Sequence, residues 1–81
     1  MRIKVLYFSS VKDKIGLPSE DIELSENSTV NDLIKLLSEK YPQIKNSLQN
    51  SMFAVNEEYA STDQKLKEGD TVAIIPPVSG G

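Results

Sequence analysis

Apolar and polar residues alternate from Ile3 to Phe8, setting Ile3, Val5 and Tyr7 on one side of an extended segment and Lys4, Leu6 and Phe8 on the other. With its β-branched and aromatic content, the segment predicts a first strand. The stretch SSVKDKIG predicts a short helical turn, opened by Ser9 or Ser10 and ended by Gly16, and Leu17-Pro18 blocks its continuation. In EDIEL the alternation returns: Ile22 and Leu24 face inward while Asp21 and Glu23 face water, the mark of a half-buried strand. The period then changes. Val30, Leu33, Ile34, Leu37 and Tyr41 recur at helical spacing behind a Thr29–Asp32 capping-box pattern, and Pro42 ends the run. Ile44 and Leu48, four apart, predict one more helical turn or a packed loop. MFAVNEEYA predicts strand, tight turn and strand with Asn56 in the turn, KEGD a turn at Gly69, and TVAII the last strand.

These elements predict a small α+β domain over residues 1–75, a sheet packed on one main helix, with residues 76–81 as an extended tail. One helix covers one face of a sheet, so the opposite face of a protein working alone should be polar. Here it is apolar. If Val72 and Ile74 join Ile3, Val5 and Tyr7 beneath the helix, Leu6, Phe8, Ala73 and Ile75 are left on the far side. Monomers seldom leave such a patch uncovered, so these four residues are candidates for a partner interface.

Composition removes most other chemistry. The 81 residues contain no cysteine and no histidine. This excludes a disulfide framework, a thiolate metal site, a catalytic thiol and the usual neutral-pH base, and no metal site is assigned. Nine basic residues against twelve acidic ones give a net charge of −3, with no basic stripe for a phosphate backbone, so nucleic acid is not an expected partner. The opening MRIKVLYFSS turns polar too early for a signal peptide or a membrane span, and the expected setting is cytoplasmic.

The end of the chain carries the remaining chemistry. Pro76-Pro77 cannot continue a strand ladder and favours an extended path outward, followed by Val78, Ser79, Gly80 and Gly81. Six extended residues span roughly 20 Å, enough to reach deep into another protein. Two residues without Cβ make a thin tip, and the α-carboxylate of Gly81 is its functional group. A carboxylate is a poor electrophile, but joined to AMP it becomes an acyl adenylate open to a sulfur or nitrogen nucleophile. Any sulfur carried must come from elsewhere and sit on that carboxylate.

IKVLYFSSVKDKIG, STVNDLIKLL, FAVNEEY and above all LKEGDTVAIIPPVSGG resemble, from one end of the chain to the other, the sulfur-carrying small subunits of molybdopterin synthase. The resemblance implies a ubiquitin-like β-grasp fold with a mixed sheet of four to five strands. It also implies a cycle. An adenylating enzyme similar to the ubiquitin-activating kind would use ATP to make a transient acyl adenylate at Gly81, with no cofactor bound permanently. A sulfur donor protein would convert that adenylate to a thiocarboxylate. The tail would then enter the large synthase subunit, in a heterotetramer, and pass sulfur to a cyclic pyranopterin precursor to build the dithiolene. Carried over position by position, Gly81 is the loaded residue, Gly80 keeps the tip narrow, and Pro76, Pro77, Val78 and Ser79 form the threaded stem. Where related chains often place an aromatic residue this one has Ile75, so docking there rests on apolar burial. The chain contributes no catalytic side chain of its own on this reading. The same diglycine also suits a carrier for another pathway or a ubiquitin-like modifier conjugated through Gly81, and the apolar face alone would suit an interaction module with an inert end.

Overall fold

The computed structural model describes residues 1–77. Strand β1 (Arg2–Tyr7) leads into helix α1 (Ser9–Ile15), then β2 (Ser19–Glu23) and the main helix α2 (Val30–Lys40). A 3-10 turn over Pro42–Ile44 runs into α3 (Lys45–Gln49), followed by β3 (Met52–Val55), β4 (Glu58–Ala60) and β5 (Thr71–Ile75). The sheet order is β2-β1-β5-β3-β4, with β1 and β5 parallel and every other pair antiparallel. A mixed five-stranded sheet crossed by one principal helix is the ubiquitin-like β-grasp arrangement.

Helix α2 starts where its sequence says it should. The Thr29 backbone N–H donates to Asp32 Oδ2 at 2.9 Å, and the Asp32 N–H donates to Thr29 Oγ1 at 3.3 Å, so each residue satisfies one free donor of the other. Hydrogen bonds from the Thr29 backbone N–H, first, and from its hydroxyl, which donates to Asp32 Oδ2 at 3.2 Å, hold the Asp32 carboxyl below its usual range. Val30, Leu33 and Leu37 are buried, while Ile34 and Tyr41 pack at the margin. Ile3, Val5, Tyr7, Val72 and Ile74 meet them from the sheet. Each such side chain contributes about 1.5–3 kcal/mol on burial, so this layer is the main source of stability.

The structure departs from the expected start of α1. Phe8 leaves β1 and takes the N-cap position in extended backbone, without a side-chain cap, and Ser9 falls inside the helix at φ 49°. Neither serine caps, because the chain turns from strand to helix at Ser9 itself. Gly16 closes α1 as expected, at φ 87° with its N–H on the Lys12 carbonyl. The β3–β4 connection is a two-residue turn in which Asn56 and Glu57 both have positive φ, 51° and 72°, the twist that matches a hairpin. Leu66, for which the periodicity assigned no role, is buried; its N–H donates to the Ser28 carbonyl at 2.8 Å, anchoring the long β4–β5 connection.

Candidate docking face and tail root

Strand pairing assembles the far face in rows. Leu6 lies opposite Ala73, Ala73 opposite Ala54, and Ala54 opposite Tyr59, so one row crosses β1, β5, β3 and β4. The two alanines leave the middle low while Leu6 and Tyr59 stand at its sides. The result is a concavity of about 770 Å³ whose lining includes Leu6, Phe8, Ala54, Tyr59, Ala73 and Ile75. Toward the end of the sheet, Ile75 pairs with Met52.

All four residues expected on this face therefore line one hollow. Pattern reading missed Ala54, Met52 and Tyr59, although Met52 and Ala54 alternate with the inward-facing Phe53 and Val55 and were legible on that ground. Tyr59 was harder, since β4 is only three residues long and offers no period. Phe8, Met52 and Tyr59 are 44%, 55% and 70% exposed. Large apolar side chains this open, grouped on one face, are what a partner surface requires.

The rim is polar and braced. Asn56 Nδ2 donates to Asp70 Oδ1 at 2.9 Å, Asn56 Oδ1 accepts from the Thr71 N–H at 3.0 Å, and Asp70 Oδ2 accepts from the Lys67 N–H at 2.8 Å. These bonds tie the hairpin tip to the start of β5. At the opposite end of β5, Pro76 is buried and Pro77 exposed. Val78, Ser79, Gly80 and Gly81, expected to form the rest of the tail, lie outside the described residues.

A second polar group lies on the core side of the sheet. Glu20 Oε2 accepts from the Tyr7 hydroxyl at 2.8 Å and the Tyr41 hydroxyl at 2.6 Å, while its Oε1 accepts from Lys40 Nζ at 2.7 Å. Burial pushes the Glu20 carboxyl up, but hydrogen bonds from Lys40, Tyr41 and Tyr7 outweigh it and leave the group below its ordinary range. Burial, followed by the bond to Glu20, raises the Tyr7 hydroxyl far above its usual value and raises Tyr41 in the same direction. The bond of Lys40 to Glu20 raises the Lys40 pKa, and its ammonium lies 5.5 Å from the Tyr41 ring centroid.

Among the described residues, no group of three or more acidic, cysteine or histidine side chains is placed to hold a metal ion. No helix among them is long and apolar enough to cross a membrane.

Fold and face together define a ubiquitin-like β-grasp protein whose sheet is open and apolar on the side away from the helix. The ThiS family profile matches residues 5–81. The molybdopterin synthase sulfur carrier subunit of Dictyostelium discoideum is 48% identical, over 99% of this chain and 96% of that one. The subunit of the same name from Chlamydomonas reinhardtii is 39% identical, covering 100% of both. A solved structure from Pyrococcus furiosus, assigned as molybdopterin converting factor subunit 1, superposes with a TM-score of 0.87 at 34% identity, covering 96% of this chain and 99% of that one. The chain belongs to the ThiS family and, within it, groups with the molybdopterin synthase sulfur carrier subunits.

Proposed function

We propose that this protein carries sulfur on Gly81 for a molybdopterin synthase. The observation that carries the reading is the 48% identity to a sulfur carrier subunit across 99% of the chain, within a family match that runs through Gly81. The carboxylate of Gly81 attacks the α-phosphorus of ATP on an adenylating enzyme, releasing pyrophosphate. The terminal sulfur of a persulfide on a donor protein then attacks the acyl carbon and AMP leaves. A second thiol on the donor side cleaves the S–S bond of the resulting acyl disulfide, ending as a disulfide and leaving a thiocarboxylate on Gly81. In the large synthase subunit that sulfur passes to a cyclic pyranopterin precursor, and water restores the carboxylate. A dithiolene needs two such deliveries, which suits a heterotetramer with two carriers.

The far face supports this division of labour. Phe8, Ile75, Met52 and Tyr59 supply apolar area for docking, and the tail root at Pro76 follows Ile75 directly. Docking and delivery are thus coupled through β5. The chain provides a surface and a loadable terminus, and catalytic side chains belong to its partners. No cofactor is bound permanently; ATP is consumed on the adenylating enzyme, and a cytoplasmic setting fits that demand.

Intact-mass measurement tests the reading. Incubation with an adenylating enzyme of this class, ATP and a sulfur donor should replace one oxygen by sulfur, and a residue added after Gly81 should abolish the gain. No mass gain on the unextended chain, or an equal gain on the extended one, overturns it. Abundant Gly-Gly remnants on target lysines, without transfer to the pterin, would favour a modifier instead.

A further inference from the structure

Glu20 ties three elements together at one end of the sheet. Tyr7 closes β1, Glu20 is the second residue of β2, and Lys40 with the C-cap Tyr41 closes α2, and both carboxylate oxygens are used in joining them. The Glu20 side chain is only 13% exposed. Because β1 and β5 run parallel with Tyr7 opposite Ile74, this is also the end at which Ile75 and the buried Pro76 leave the sheet. The carrier cycle assigns these four side chains no task, and they lie on the face opposite the docking hollow.

A phenylalanine at position 7 would fill the same core volume without a hydroxyl. Directional bonds to a half-buried carboxylate add geometric definition, because hydrogen bonds specify position where apolar contacts tolerate sliding. Position matters here. If the six tail residues extend over about 20 Å, a swing of roughly 10° at the root would move the tip by about 3.5 Å. An error of 1 Å at reacting atoms can cost on the order of a hundredfold in rate.

The geometry points to Glu20, acting through Tyr7, as a positioning residue for sulfur delivery: it holds the end of β1, and with it Ile74, so that Ile75 and Pro76 leave the sheet at one angle to the docking face. This rests on the carrier reading. The network is equivalent to a guide at the foot of the tail, and removing it should leave docking intact while misaiming the terminus.

The test uses the full chain, loaded as thiocarboxylate, in single-turnover transfer to the pterin precursor with increasing large subunit. Tyr7→Phe and Glu20→Gln should lower the saturating rate by roughly tenfold, with the half-saturating concentration changed by less than about twofold. Tyr41→Phe, which removes the other hydroxyl from the same oxygen but not from the sheet, should keep the wild-type rate. A Tyr7→Phe rate equal to wild type, or an equal loss in Tyr41→Phe, overturns the proposal. So does an effect confined to half-saturation, which would mark the cluster as serving docking or stability alone. Amide hydrogen exchange on the unloaded chain separates this from the carrier reading. Ile74 and Ile75 should exchange roughly fivefold faster or more in Tyr7→Phe than in wild type, with Leu33 unchanged. Equal exchange at Ile74 and Ile75 overturns the positioning role even if wild type proves to carry no sulfur, a result that would sink the carrier reading alone.

Discussion

Glu57 holds φ at 72° in the second position of the β3–β4 turn, where a side chain crowds the backbone and glycine does not. The strain of about 1–2 kcal/mol in a left-handed residue exceeds the extra unfolded-state entropy of glycine, about 0.5–1 kcal/mol. Glu57→Gly should therefore stabilise the protein by about 0.5 kcal/mol, raising Tm by about 3 °C in thermal unfolding. Glu20 makes a different kind of prediction. Its folded pKa lies below the ordinary 4.5, so the stability it contributes is fully present above that value and is lost as pH falls through the depressed one. The Tm difference between wild type and Glu20→Gln should be constant near neutral pH and shrink below about pH 4.5. The Tyr7 and Tyr41 hydroxyls are shifted upward, so their contribution is present below the ordinary 10.0 and is lost only on deprotonation at strongly alkaline pH. A difference that grew on acidification would mean Glu20 is not held ionised by its partners.

Among the elements, α2 is the one most completely written in its own sequence. The Thr29–Asp32 box is present with both reciprocal bonds, and Thr29→Ala should cost about 1 kcal/mol in denaturant unfolding while leaving loading at Gly81 intact. An unchanged unfolding midpoint would show that the cap contributes nothing. Strands β1 and β5 were legible for the same reason, since period-2 alternation is local and strong in both. What sequence could not reveal depends on residues far apart in the chain. Glu20 meets Tyr7 and Tyr41 across 13 and 21 positions, and no local pattern marks an acidic residue in a half-buried strand as the acceptor for two tyrosines. The start of α1 failed on a local rule: two serines before a short helix look like caps, yet the positive φ at Ser9 shifts the boundary to Phe8. Leu66 escaped because its burial comes from an isolated bridge, Thr29 with Lys65, rather than from a periodic strand.

The mixed sheet gives the protein one core face and one open apolar face, and the docking role proposed for the open face can be tested without disturbing the core. Leu6, Ala73 and Ala54 form the hollow but are each at least partly buried, so changing them alters packing within the sheet. Tyr59 is different. It stands 70% exposed at the side of the hollow, in β4, a strand that pairs only with β3, and its ring contributes little to folding. Aromatic side chains that become desolvated on binding are the usual energetic centres of an interface, with losses of 2 kcal/mol or more on truncation. Tyr59→Ala should therefore weaken binding to the large subunit by about 2 kcal/mol, roughly thirtyfold in Kd. Its Tm should stay within about 3 °C of wild type, because a substitution at an exposed position away from caps and cores changes stability by no more than about 0.5 kcal/mol. Titration calorimetry against the large subunit, alongside thermal unfolding, reads both quantities. Wild-type affinity in Tyr59→Ala would confine the interface to the β1–β5 side of the hollow, around Phe8 and Ile75. Lost affinity with unchanged stability would extend it across all four strands, to a residue that no periodicity in β4 could have marked.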